Sequence, residues 1–143
     1  SLTTDIMVGF PGETDADFEQ TYAFLEQLAP AFLHVFPYST RPGTPAAAMD
    51  GHVPPDTINH RAEALGKLSD KLHRDFYARH IGAKTSVLWE STRHNGYMYG
   101  YTGNYIKARI PFDRGRISTI TQVELTGLAD DLTMEAKIID PIR

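Results

Sequence analysis

Three stretches of this chain carry residue types that could do chemistry. The first is Gly9-Phe10-Pro11-Gly12-Glu13-Thr14, a glycine-rich turn at the end of a short apolar run, where α/β folds place their ligands. It lacks the GxxxxGK(S/T) pattern of a P-loop, and Glu13, Asp15 and Asp17 would repel a phosphate. The competing reading is a tight turn that needs two glycines and ends in a helix cap. The second stretch is Tyr38-Ser39-Thr40-Arg41-Pro42-Gly43-Thr44-Pro45-Ala46. Arg41 is the only base in the first fifty residues and could hold a carboxylate or phosphate through two parallel hydrogen bonds, or stand as an ordinary exposed loop arginine. The third is an aromatic and basic stripe: Tyr97, Tyr99 and Tyr101 alternate, Tyr105, Lys107 and Arg109 follow, and Lys84 and Arg93 lie nearby in sequence. Rings can stack bases and cations can track a phosphate backbone. Tyrosines at period two are also ordinary strand formers.

The elements that must position these residues can be read from periodicity. Asp5 to Gly9 is an apolar run that reads as a buried strand entering the turn. Thr14-Asp15-Ala16-Asp17 reads as a capped helix start with acids at the positive end of the dipole, and Phe18, Tyr22, Leu25 and Leu28 give the helix one apolar face. Phe32 to Phe36 is a second strand, broken by Pro37. Strand, helix and strand over about 32 residues make a βαβ unit with parallel strands and a right-handed crossover. Two parallel strands and one helix do not make a core of their own, so the expectation is a part of a larger α/β domain whose exposed edges seek a partner, as a dimer or by strand pairing.

Residues 39–55 hold Pro42, Pro45, Pro54 and Pro55, with Gly43 and Gly51, and read as a connector. A long helix is expected next. Ile58, Ala62, Leu65, Leu68, Leu72, Phe76 and Ile81 recur every three or four residues, Asp56 stands near the start and Gly82 follows the end. Lys67, Lys71, Arg74 and Arg79 lie off that stripe and suit a solvated face paired with Asp70 and Asp75. From Gly82 the pattern turns to short strands: Thr85–Glu90, Tyr97–Thr102 after an Asn95-Gly96 turn, Tyr105–Pro111, Ile120–Leu125 and Met134–Ile139. Five short strands over about 60 residues suggest a small antiparallel barrel of the OB or SH3-like kind. The fold class expected is therefore α+β, divided into residues 1–50, a connector and helix at 51–81, and a barrel at 82–143.

Composition narrows the functions. Hydrophobic residues are 41% and charged residues 22% of the 143, ordinary values for a folded protein. With no cysteine, the chain offers no disulfide, no thiol nucleophile and no thiolate for zinc or an iron–sulfur cluster. The six histidines form no HExxH or HxH pattern, so no metal site is assigned. Seven acids face one base in residues 1–50, five bases face four acids in 51–80, and eight bases face seven acids in 81–143, for a net charge of −4. That balance gives no overall attraction for nucleic acid, so any RNA contact has to be a local patch. No apolar stretch is long enough to span a membrane.

Taken together, the motifs resemble a known family. Asp5-Ile6-Met7-Val8-Gly9-Phe10-Pro11-Gly12-Glu13-Thr14, Phe36-Pro37-Tyr38-Ser39 and Arg41-Pro42-Gly43-Thr44-Pro45-Ala46-Ala47 resemble the carboxyl-terminal end of the radical-SAM core of the tRNA methylthiotransferases. His34-Val35-Phe36-Pro37-Tyr38-Ser39 and the Gly96-Tyr97-Met98-Tyr99-Gly100 to Asn104-Tyr105-Ile106 stretch are most similar to the branch acting on threonylcarbamoyladenosine. The likeness runs from residue 4 to about residue 112. It implies an enzyme whose amino-terminal domain holds one iron–sulfur cluster. A radical-SAM partial TIM barrel holds a second 4Fe–4S cluster on CxxxCxxC, and a TRAM-type barrel grips the anticodon region of tRNA. The reaction implied places a methylthio group on carbon 2 of adenosine 37, through a radical made from S-adenosylmethionine. On this likeness residues 1–50 are the last βαβ end of the partial barrel, and residues 82–143 the OB/TRAM-like, RNA-binding module.

The departure is that every cluster cysteine is missing, so this chain alone is expected to bind no cofactor and to catalyse nothing. The likeness places S-adenosylmethionine beside Ile6, Val8 and Gly9, with Phe36 and Tyr38 flanking it and Arg41 near it or near the substrate's carboxylate. It places tRNA on Lys84, Tyr97, Tyr99, Tyr101, Lys107 and Arg109. It assigns no catalytic acid, base or nucleophile, and it implies a cytoplasmic protein. Two other readings compete: a self-standing RNA-binding or interaction module, and a small phosphate-binding enzyme, which the acidic turn disfavours.

Overall fold

The computed structural model describes residues 1–140; the last three residues of the expected 82–143 module lie outside the described residues. The chain falls into two compact units, one of Ser1–His73 and the other from Arg74 onward. In the first unit, strand β1 (Thr3–Val8), helix α1 (Asp15–Leu28) and strand β2 (Phe32–Pro37) form the expected βαβ unit, with β1 and β2 parallel. Helix α2 runs from Pro55 to Ala78. A short 3-10 turn, Pro45–Ala48, interrupts the connector.

The side chains of the two strands divide cleanly by alternation. Val8 and Leu33 are buried in one cluster with Leu25 of α1 and Ile58, Leu65, Leu68 and Leu72 of α2, and Ile6 and Val35 pack against it. Both helices therefore cover the same face of the sheet. The opposite face carries Asp5 paired in register with His34, and Met7 paired with Phe36. Met7 is 54% and Phe36 50% exposed, although a parallel sheet is ordinarily covered on both faces. Leu28, expected on the apolar face of α1, stands 45% exposed at its end, and Ile81, 48% exposed, lies beyond the end of α2. Lys67, off the apolar stripe, pairs with Glu63 one turn earlier at 3.0 Å.

In the second unit five strands close into a barrel: β3 (Lys84–His94), β4 (Tyr97–Thr102), β5 (Lys107–Pro111), β6 (Ile120–Leu128) and β7 (Met134–Ile138), in the order β3-β4-β5-β7-β6. The expectation of an antiparallel barrel needs one correction, because β5 and β7 pair in parallel. The reason is counting. Strand directions cannot alternate all the way round a closed ring of five, so at least one neighbouring pair must run the same way. Asn95 and Gly96 form the expected two-residue hairpin turn, both with positive φ. β3 runs on to His94, past the expected end at Glu90, because a register shift between Trp89 and Arg93 lets it keep pairing with β4. Val87, Trp89, Met98, Ile106, Ala108, Ile110, Val123, Leu125 and Met134 fill the barrel, joined by Tyr77 from the last turn of α2.

Gly100 lies opposite Trp89 in the β3–β4 ladder, and a Cβ there would run into the Leu88 carbonyl and the Val87 side chain. Gly100→Ala is expected to destabilise the barrel by about 2 kcal/mol, read as a lower urea midpoint, because the obstacle is backbone and cannot rotate away. No helix among the described residues is long and apolar enough to cross a membrane.

Candidate functional site

The glycine-rich turn follows β1 as expected, and its internal bonding decides what it can do. Glu13 N–H donates to the Phe10 carbonyl at 3.0 Å, closing a turn with Pro11 in the second position and Gly12 (φ 89°) in the third. That is the Pro-Gly signature of a type II turn. Gly9 N–H donates to Glu13 Oε1 at 2.9 Å, and Gly12 N–H to the Gly51 carbonyl at 2.8 Å. At the start of α1, Thr14 N–H donates to Asp17 Oδ2 and Asp17 N–H to Thr14 Oγ1, a capping box. The amides of Gly9, Gly12, Glu13 and Thr14 are thus spent on bonds within the protein.

The acids of the turn are also spoken for. Arg61 of α2, 4% exposed, donates from Nη1 to Glu13 Oε1 at 2.6 Å and to the Glu13 carbonyl at 3.1 Å, and from Nη2 to Asp15 Oδ1 at 2.7 Å. Its guanidinium lies 5.6 Å from the Phe18 ring centroid. Burial opposes the Arg61 charge, but the carboxylates of Asp15 and Glu13 outweigh it and hold its pKa above the ordinary value. The sequence reading missed this residue. Its signal was there: Arg61 sits between Ile58 and Leu65 at the spacing of the apolar stripe, where a base has to find a buried partner.

The capping box has a pH signature. The Asp17 carboxylate is held below its ordinary pKa, first by the Thr14 backbone N–H and then by the Thr14 hydroxyl. Asp131 in the barrel unit is likewise lowered, first by the Thr133 hydroxyl, which donates at 2.5 Å. A group with a depressed folded pKa adds stability that is complete above its unfolded value and is lost as pH falls through the folded one. Stability is therefore expected to hold down to about pH 4 and to fall below it. In urea titrations from neutral pH downward, Asp17→Asn should flatten that acid-side loss for the first unit.

Beyond the strand ends, Tyr38 continues the ladder by donating its N–H to the Val8 carbonyl at 2.8 Å. Its ring stands edge-on to Phe10, with centroids 5.6 Å apart, and 6.2 Å from His52. Its hydroxyl is the one buried side-chain polar atom without a hydrogen-bond partner among the described residues. Leaving such a group unmade costs about 1–3 kcal/mol, so it marks a place that lacks an acceptor or donor. Arg41 is exposed, its carbonyl accepting from Thr44 N–H and Oγ1–H. Among the residues expected near a cofactor, Val8 is fully buried and Ile6 half-buried on the helix side, so only their backbone borders the open face. Phe36 lies on that open face, and Gly9 N–H is held by Glu13.

In the barrel, Tyr97, Tyr99 and Tyr101 pair in register with Pro111, Arg109 and Lys107, which puts the tyrosines and both cations on the outer face of β4 and β5. They are interleaved. Lys107 Nζ lies 4.9 Å from the Tyr99 ring centroid, and the Arg109 guanidinium 4.3 Å from that of Tyr97. Arg109 is further bound by Glu135, through Nε at 2.8 Å and through Nη2, and by Asp131 at 3.2 Å. These contacts raise its pKa, Glu135 first. Tyr99 is 7% exposed, whereas Tyr101 is 39% exposed. Lys84 stands exposed on β3, in register with Glu124 of β6 and away from the β4–β5 ladder. The sequence thus brought five of its six RNA candidates to one face, but two of the three rings there are already covered by cations.

Comparison with known proteins places these features in a context. The chain is 35% identical over 129 residues, 87% of its length, to a threonylcarbamoyladenosine tRNA methylthiotransferase of Bacillus subtilis. It is 37% identical over 131 residues, 92% of its length, to the protein of the same name from Thermotoga maritima. A tRNA-2-methylthio-N(6)-dimethylallyladenosine synthase of Thermobifida fusca is 41% identical over 88 residues, 62% of the chain and 18% of that protein. The chain spans 29–30% of the length of the first two relatives. No family model matches it.

Proposed function

We propose, from the premise that the chain belongs to the tRNA methylthiotransferase family, that it is the carboxyl-terminal part of such an enzyme. On this reading residues 1–50 are the end of a radical-SAM partial TIM barrel, α2 leads out of it, and the five-stranded module is an OB/TRAM-like barrel that holds the anticodon region of tRNA. The whole enzyme adds a 2-methylthio group to threonylcarbamoyladenosine 37, in the cytoplasm. One observation carries the reading. A parallel pair has both helices on one face and an apolar, titratable opposite face left open, with the two loop motifs at its strand ends. That arrangement fits one wall of a partial barrel, which carries its helices outside and its ligand at the carboxyl ends of its strands.

The residues present fit S-adenosylmethionine in part and an iron–sulfur cluster not at all. Tyr38 offers an unpartnered hydroxyl, Phe10 and Phe36 offer exposed rings, and the open face offers Met7, Asp5 and His34. With no cysteine in the chain, cluster ligands have to come from elsewhere in the enzyme. When bound, S-adenosylmethionine supplies the radical chemistry; this chain's part is to line its side of the cavity and to hold tRNA. The outer face of β4 and β5, with Lys84 on β3, is the tRNA-facing surface.

The test is binding of this chain to a fluorescein-labelled anticodon stem–loop RNA, with an acceptor-stem hairpin as competitor. Saturable binding that prefers the anticodon stem–loop and weakens with salt is expected. No binding at low salt, or equal binding of both hairpins, contradicts the assignment of the barrel.

A further inference from the structure

Across the barrel's outer surface one register line joins four neighbouring strands. Ile120 of β6 pairs with Leu88 of β3, Leu88 with Tyr101 of β4, and Tyr101 with Lys107 of β5. Alternation turns these side chains outward, since Val87, Trp89, Ala108 and Thr121, their neighbours in sequence, are buried. Ile120 is 68%, Leu88 51% and Tyr101 39% exposed. The line is about 14 Å long, from the usual spacing of strands. Lys107 stands at one end, and Lys84 lies on the same face of β3, about 13 Å along the strand from Leu88. Neither lysine is held by a carboxylate among the described residues, whereas Arg109 and Arg116 each are.

We propose that unpaired bases of an RNA lie on the Tyr101–Leu88–Ile120 row, with the backbone running between Lys107 and Lys84, and that Leu88 and Ile120 are contact residues of this site. The inference rests on the RNA-binding reading of the barrel and narrows it. Tyr97 and Tyr99 carry cations over their rings, so of the three tyrosines on β4 Tyr101 is the one left free to stack. Two features favour RNA over a protein on this row. The three side chains expose on the order of 300 Å² together, well short of the roughly 800 Å² per partner that a stable protein interface needs. The two lysines at its margins, neither held by a carboxylate among the described residues, suit a polyanion.

The row is exposed, so replacing it leaves the barrel core intact, which thermal unfolding of each variant checks. The probes are the labelled anticodon stem–loop and the same stem closed as a blunt duplex. Leu88→Ser combined with Ile120→Ser, and separately Tyr101→Ala, are expected to weaken stem–loop binding about tenfold or more. Lys84→Ala with Lys107→Ala should lower the salt slope by about 1.4, the value for two contacts to a single strand. Phe24→Ser removes a ring of α1 that is 62% exposed, more than Tyr101, and should leave binding unchanged. The proposal is overturned if the wild-type chain binds the stem–loop and the double serine variant binds it as well. It is equally overturned if Phe24→Ser weakens binding as much, if the duplex binds as tightly as the stem–loop, or if the serine variants only abolish self-association. If the wild-type chain binds neither probe, it is the RNA-binding reading of the barrel that fails.

Discussion

Replacing Trp89 by Ala should destabilise the barrel unit by about 4 kcal/mol, the largest effect expected of any single change in the chain. Trp89 is 1% exposed, the largest of the fully buried side chains, and it packs among Val87, Met98, Ile106 and Val123. Its Nε1–H donates to Thr121 Oγ1 at 2.7 Å, and Thr121 is itself buried. Truncation to Ala opens a cavity the size of an indole and strips the Thr121 hydroxyl of its partner in the same step. Both losses add, because a closed barrel cannot collapse around the gap without shifting its register. Trp89→Phe separates them: it keeps most of the packing, loses the hydrogen bond, and should cost about 1–2 kcal/mol. The check is urea unfolding followed by far-ultraviolet circular dichroism. A cost of ~1 kcal/mol for Trp89→Ala would mean that the barrel interior is loosely packed around the indole.

Arg61→Ala is expected to cost the first unit about 3 kcal/mol. The removed guanidinium is buried and serves Glu13, whose side chain is only 15% exposed, so its loss leaves a half-buried carboxylate with no counter-ion. The Asp15 arm adds little, because that carboxylate is 89% exposed. The stability lost should therefore be recovered in large part by Arg61→Met combined with Glu13→Gln, which removes the stranded charge and keeps the volume, while Arg61→Met with Asp15→Asn should recover almost nothing. The difference between these two double variants, measured by urea unfolding, apportions the network. It also bears on function. Glu13 holds Gly9 N–H, so Arg61 fixes the loop that borders the open sheet face without touching anything on it.

Most of the fold was legible in the residues. The βαβ unit, the Thr14 cap, the apolar stripe of the long helix and the Asn95-Gly96 hairpin are local signals, and each stands within a few residues of where periodicity and turn chemistry put it. What sequence could not supply was pairing between distant elements. The parallel β5–β7 contact depends on ring closure, and the extension of β3 depends on a register shift in its pairing with β4. Tyr77 shows the same limit. It lies off the Ile58–Phe76 stripe, yet it is 4% exposed because its hydroxyl accepts from Lys107 N–H at 2.8 Å and its ring enters the barrel core, whose burial raises its pKa.

The site was legible in type and less so in detail. Alternation along β4 and β5 placed the tyrosines and cations on one face, but only coordinates reveal that Glu135 and Asp131 occupy Arg109. On β1, a strand read as uniformly apolar concealed which residues face the helices. Register puts Ile6 and Val8 on the covered side and Met7, with Asp5, on the open side.

A carboxyl-terminal part of a methylthiotransferase should be able to serve within a relative of that family. The direct measurement is a chimera in which the matching portion of the Bacillus subtilis relative is replaced by these 143 residues, expressed in a strain lacking that enzyme. The tRNA nucleosides are then resolved by mass spectrometry. Restored 2-methylthio-threonylcarbamoyladenosine, lost again when Leu88 and Ile120 are both Ser, is the predicted result. A soluble, cluster-loaded chimera that leaves threonylcarbamoyladenosine unmodified would contradict it.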